Sequence, residues 1–133
     1  MFRSLKSHED LLHTVLRIVA GYTFALHGAQ KLFGVLGAEQ SVEIASLIGA
    51  AGIIEFVGGT MISIGFLTQP VAFLASGEMA AAYFIGHVSR NGEFLFPIAN
   101  QGEPAVLYCF VFLYLSARGT GRYGVDGLLP GRY

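Results

Sequence analysis

Hydrophobic residues in this chain fall into four runs separated by short polar breaks. The runs span about 11–33, 44–66, 71–88 and 101–117. A helix needs roughly 20 residues, with a range of about 17–25, to cross the hydrocarbon core of a bilayer. The first two runs have that length and the third is adequate. The fourth is short, with Tyr114 and Arg118 placed to anchor its end at the interface. The pattern predicts an all-α membrane protein, a four-helix transmembrane bundle forming a single domain over 1–133. Bilayer backbone must satisfy its own hydrogen bonds, and helices do so.

The breaks carry matching signals. Thr68, Gln69 and Pro70 make a tight connection, with Pro70 suited to a first helical turn. Asn100 followed by Glu103 predicts a capping box, with Asn in the usual Ser/Thr position. Pro104 cannot donate a backbone hydrogen bond, so the fourth helix starts close to it. Gly119 and Gly121 end that helix, and the glycine-rich tail after them is predicted at the surface. The run 11–33 is too long for a signal-peptide core, and no small-x-small cleavage site follows it.

Composition strengthens the membrane reading. The chain is 53% hydrophobic and 13% charged, against about 25% charged in a typical soluble domain. Its mean hydropathy is +0.59. A water-soluble core of this size leaves too much area outside to hide so many apolar residues. The formal net charge of -1 and the lack of a basic patch argue against nucleic acid as a partner; the lipid bilayer is the partner this composition implies. Cys109 is the sole cysteine, which excludes an internal disulfide, a dithiol relay and a cysteine-rich zinc site. It is expected to be a small buried side chain.

Basic residues set the orientation. Arg3 and Lys6 flank the first run, and Arg118, Arg122 and Arg132 follow the fourth. The two loops on the opposite side hold Glu39, Glu43, Arg90 and Glu93. The expectation is therefore a multi-pass protein with both termini cytoplasmic, and four crossings have the right parity. The second run is rich in glycine; Gly52 and Gly59, seven apart, share a face with Glu55. Such faces let helices approach closely in lipid.

Charge inside these runs is the informative feature, because a charged group near the bilayer centre costs about 2.5–3.5 kcal/mol on insertion scales. In the first run, Arg17, Phe24, Gly28 and Lys31 share one helical face, with His27 at its edge. Arg17 and Lys31, 14 positions apart, are separated by roughly 21 Å along the axis. Glu55 and Glu78 fall near the middles of the second and third runs, too deep to reach water by snorkelling. Glu103 opens the fourth, at a depth where it can pair with Lys31. The candidate constellation is His27, Lys31, Glu55, Glu78 and Glu103.

Two readings stay open. These groups form ion pairs that fix helix register, or they line a polar pocket in which Glu55 and Glu78 exchange protons; a carboxyl without a partner at midplane is poised to titrate. No Glu-x-x-His occurs, so the di-iron pattern of helix bundles is missing, and no metal site is expected. A haem between His27 and His87 would require the two rings at matching depth.

The ordered motifs resemble the DoxX family. They are Arg17, Gly21, His27, Gly28 and Lys31 in "LRIVAGYTFALHGAQKLFG"; Glu55, Gly58, Gly59 and Gly65 in "IIEFVGGTMISIGF"; Asn100, Gly102 and Glu103 in "NQGEPAVLY"; and Asp126 in "GTGRYGVDGLL". The resemblance implies a four-helix protein of the bacterial inner membrane, tied to quinone-linked or oxidative-stress redox systems. It implies Arg17, His27, Lys31, Asn100 and Glu103 as ligand-binding residues, with Glu55 as a carried-over acid; Glu78 comes from the charge pattern alone. On that basis His27 and Lys31 donate to a ligand oxygen, Glu55 or Glu78 exchanges a proton, and Arg17 pairs with an inner-side acid or a lipid phosphate. No cofactor ligand set is evident in the chain. The expected role is an oxidoreductase subunit rather than a stand-alone enzyme, with a bound quinone or a redox partner protein as electron carrier. The alternatives are a non-enzymatic membrane assembly protein and a small-molecule transporter, whose continuous pore would need a homo-oligomer.

Overall fold

The structure, a computed structural model, describes residues 2–129. Arg132, counted above among the basic flanks, lies outside the described residues. Helix α1 spans Phe2–Lys6 and α2 spans Glu9–Phe33. Helix α3 covers Leu47–Ile64 and α4 covers Thr68–Asn91. Helix α5 spans Glu103–Arg118, and a 3-10 turn, Val125–Leu128, closes the tail. No strand occurs among the described residues. Helices α3 and α4, with 18 and 24 residues, are long and apolar enough to cross a membrane.

Each helix ends where its sequence stops supporting it. Gly34 takes the left-handed conformation after α2, with its N–H on the Gln30 carbonyl at 3.1 Å. Ser46 caps α3 through its hydroxyl, which accepts from Gly49 N–H at 3.0 Å. Two boundaries differ from expectation. Helix α4 begins at Thr68, so Pro70 lies in its first turn as expected, while Thr68–Pro70 belong to the helix and the connection is Gly65–Leu67. The capping box at Asn100 does not form. Gln101 sits at φ 60°, so the chain enters α5 two residues later, Gly102 is the cap and Glu103 is the first helical residue.

Helices α2 and α3 pack through a glycine seam. A Cβ on Gly21 would lie 2.7 Å from the Gly59 carbonyl oxygen, one on Gly28 would lie 2.7 Å from that of Gly52, and one on Gly59 would meet the Ala25 nitrogen at 2.5 Å. The obstacles are backbone, so only glycine permits this approach. Helices α4 and α5 form the other close pair, tied by the Ser76 hydroxyl donating to the Cys109 carbonyl at 2.8 Å. Cys109 itself is half-buried. Phe24, Ile62, Ala75, Phe112 and Leu115 are sealed in the shared core. Large apolar side chains such as Phe73 and Phe110 face outward, 67% and 65% exposed, as a surface turned to lipid requires.

The tail binds the helix ends together. His13 on α2 meets the Gly119 carbonyl at 3.0 Å, and Arg118 bonds Glu9 at 2.7 Å and Asp10 at 3.3 Å. The start of α2 and the end of α5 therefore lie at the same end of the bundle. Asp126 returns across this end to accept from Leu67 N–H at 2.9 Å and Thr68 N–H at 3.2 Å. It caps α4 from 58 residues away along the chain.

Candidate functional site

Lys31, Glu55 and Glu78 meet where α2, α3 and α4 adjoin. The glycines at 28, 52 and 59 draw α3 against α2, and Glu55 lies within the π-helical stretch Ile54–Gly58. Such a widened turn adds a residue to the repeat and is frequent at functional sites. Lys31 Nζ donates to Glu55 Oε1. The two ends of this ion pair differ in environment: the Lys31 side chain is 31% exposed and that of Glu55 2%.

Glu78 lies within electrostatic reach of both Glu55 and Lys31. Two carboxyl groups thus lie near one ammonium, which bonds Glu55. Glu55 Oε2 and Glu78 Oε2 are both buried without a hydrogen-bond partner. A buried acceptor left unpaired costs about 1–3 kcal/mol, and more when charged.

His27 is exposed on α2, within electrostatic reach of Glu55. Its ring meets Tyr108 edge-on, with centroids 6.0 Å apart. Tyr108 in turn donates to Thr23 at 2.6 Å. Beside it, Glu103, Pro104, Leu107, Tyr108 and Val111 line a shallow, mostly apolar groove of about 340 Å³. Sequence reasoning missed Tyr108; its only signal was an aromatic hydroxyl one helical turn and a residue beyond Glu103. Glu103 is exposed at the groove mouth and does not pair with Lys31, whose ammonium is taken by Glu55.

Two further candidates sit elsewhere. Arg17 is 1% exposed, and its guanidinium donates to the Ile62 and Ser63 carbonyls at 2.7 and 2.6 Å and to the Tyr123 carbonyl. It therefore caps the end of α3 and holds the tail through carbonyls, with the acid Asp126 at the same end within electrostatic reach. Asn100, also 1% exposed, donates to the Glu93 carbonyl at 2.7 Å and the Tyr83 hydroxyl at 3.1 Å, and accepts from Gly102 N–H at 2.8 Å. Its amide is used in shaping the loop before α5. His87 meets the Asn100 carbonyl at 3.1 Å.

A larger cavity, about 600 Å³, lies under the tail between Thr68–Pro70 and Gly119–Arg122, at the end of the bundle where α2 starts and α5 finishes. Among the described residues no group of three or more His, Cys, Asp or Glu stands close enough to hold a metal ion.

An apolar helical exterior around an inward-facing charge cluster defines a small membrane protein. The DoxX family profile matches residues 12–88, and the chain belongs to the DoxX family. It is 39% identical over 127 residues to an uncharacterized protein of Haemophilus influenzae, covering 92% of this chain and 94% of the relative. It is 28% identical over 134 residues to the inner membrane protein YqjF of Escherichia coli, covering 94% of this chain and 97% of the relative. No solved structure matches. The matched stretch contains Arg17, His27, Lys31, Glu55 and Glu78; Asn100, Glu103 and Asp126 lie beyond it.

Proposed function

We propose that this chain is a four-crossing subunit of a quinone-linked redox system in the inner membrane, with both termini cytoplasmic. The shared end of α2 and α5 supports an even number of crossings, and Lys6, Arg118 and Arg122 at that end support its cytoplasmic placement. The observation that carries the functional reading is a Lys31–Glu55 pair with a second acid, Glu78, within electrostatic reach, each acid keeping a buried, unpartnered oxygen.

The division of labour follows from position. Glu55 and Glu78 hold one proton between them, and Lys31 keeps that proton exchangeable by balancing the remaining charge. The groove beside Tyr108, apolar with a few polar groups at its rim, suits a flat ring carrying an apolar chain. His27 donates to a ring oxygen, and the Tyr108 ring beside it packs against the ring face. A quinone supplies two-electron, two-proton redox chemistry when bound; the chain supplies binding, orientation and a proton store.

The test is direct. The protein is purified in lipid nanodiscs, its lipids are extracted and analysed for quinone, and its melting temperature is measured with a short-chain benzoquinone and naphthoquinone. The expectation is co-extracted quinone, together with a stabilising shift that His27→Ala and Tyr108→Ala reduce. Absence of both quinone and shift rejects the reading.

A further inference from the structure

The connection between α4 and α5 has an unusual combination of features. Phe94, Leu95, Phe96 and Ile98 are 54%, 71%, 59% and 78% exposed. A loop facing water rarely presents four large apolar residues within five positions. Its backbone is also bonded inward. The Glu93 carbonyl accepts from Asn100 at 2.7 Å and the Phe94 carbonyl from the Tyr83 hydroxyl at 2.7 Å. The Phe96 carbonyl accepts from Ala99 N–H at 2.9 Å, and the Pro97 carbonyl from Gly102 N–H at 3.0 Å. The Asn100 carbonyl is reached by His87 at 3.1 Å and by Asn91 at 3.4 Å. Apolar side chains turned outward over a partly paired backbone suit the interfacial layer, where the N–H groups of 94–96 and 98 and the Leu95 and Ile98 carbonyls, which make no bond among the described residues, still meet water and headgroups.

Length points the same way. Helix α5 has 16 residues and rises about 24 Å. The hydrocarbon core is about 30 Å thick, so roughly 6 Å at the outer end must be filled by something other than α5. The connection stands immediately before that end. It also continues the apolar flanks of both helices: Phe84 stacks on Phe94 at 5.8 Å, and Ile85 and Leu107 are 58% and 60% exposed. Glu93, at the start of the segment, is its only charged residue.

We propose that residues 94–98 are inserted into the outer leaflet, completing the span that α5 leaves short and anchoring the bundle in lipid. The proposal rests on α5 crossing the membrane, as in the function proposed above. The partner is the bilayer itself, at the depth where the headgroups give way to the acyl chains.

The chain contains no tryptophan, so single-tryptophan variants report cleanly. Leu95→Trp and Ile98→Trp replace exposed side chains and leave the fold intact. Leu107→Trp marks α5, and Glu39→Trp marks the other loop at this end. Each is reconstituted in phosphatidylcholine vesicles, with brominated acyl chains or with aqueous iodide as quencher. The expected result is blue-shifted emission for Leu95→Trp and Ile98→Trp, strong quenching by shallow bromines, and several-fold less iodide quenching than for Glu39→Trp. Iodide quenching equal to that of Glu39→Trp overturns the proposal. So does protection from both quenchers, which would mean a second protein covers the loop. If Leu107→Trp is itself open to iodide, the crossing of α5 fails; if Leu107→Trp sits in lipid and Leu95→Trp in water, only the loop insertion fails.

Discussion

Replacing Lys31 by Met tests the charge cluster with little change of volume. In the intact protein, Nζ serves Glu55 Oε1 and acts on Glu78. Removing it leaves an acid whose side chain is 2% exposed with no counter-charge and a second acid within reach. Breaking a buried pair by deleting one partner costs about 3–5 kcal/mol, and the Lys31→Met loss is expected in that range. The complementary change, Glu55→Gln, is milder. It leaves the ammonium on a side chain 31% exposed and still within reach of Glu78. Loss of one hydrogen bond to a charged group gives about 1.5–3 kcal/mol. The double variant, Lys31→Met with Glu55→Gln, removes both charges and should recover part of the Lys31→Met loss. The assay is reversible unfolding in mixed micelles with rising dodecyl sulfate, followed by circular dichroism. A Lys31→Met protein as stable as Glu55→Gln, or a double variant no better than Lys31→Met, would refute the pairing.

The same unfolding assay separates two glycine changes of opposite sign. Gly59→Ala drives a methyl into the backbone of α2, where the Ala25 nitrogen lies 2.5 Å away, and should cost about 1–3 kcal/mol. At Gly77 nothing lies within 4 Å of an added Cβ, so Gly77→Ala should be neutral or stabilise by up to about 1 kcal/mol through helix propensity. Asp126→Ala removes the cap on the Leu67 and Thr68 N–H groups; it should cost about 0.5–2 kcal/mol, and trypsin should cut faster at Arg122. Asn100→Ala strands the Glu93 carbonyl and removes one of the two acceptors of the Gly102 N–H, a loss of about 1–3 kcal/mol, with amide exchange accelerated over residues 92–102.

Helix positions were readable because apolar runs and terminal glycines act locally. The side of α3 that meets α2 was readable too, since Gly52, Glu55 and Gly59 recur at helical spacing along one face. Bringing Lys31 to Glu55 also requires a particular rotation of α2 about its axis and a particular register along α3, which periodicity alone does not set. Sequence spacing put Glu103 opposite Lys31 at similar depth, yet depth says nothing of azimuth, and Glu55 takes the ammonium. Arg17 was legible as an inward charge and illegible as a cap, because its acceptors are carbonyls, and every residue has one. Asp126 shows the same limit: its side chain serves a helix start 58 residues earlier, a distance no local motif encodes.

The two ends of the bundle use polar groups differently, and the difference bears on function. Near the termini, Arg17 finds three carbonyls and Asp126 finds two N–H groups and the Thr120 hydroxyl at 2.5 Å. These bonds run to neutral groups, and Arg17 and Asp126 also attract each other as opposite charges, one base to one acid. Around Lys31 the partners are themselves ionisable, and two acids outnumber one base. The Arg17 site has the pattern of a structural clamp, in which one acid balances one base and carbonyl dipoles take the hydrogen bonds. Retaining Glu78 beside an already complete Lys31–Glu55 pair adds an unpartnered oxygen and no visible contact that holds the helices together. The function proposed above gives it a role in proton exchange, which register alone does not. On this argument Glu78→Gln should leave the unfolding midpoint unchanged or raised, while abolishing any proton uptake that accompanies quinone binding. A clear loss of stability in that variant would return Glu78 to a purely structural role.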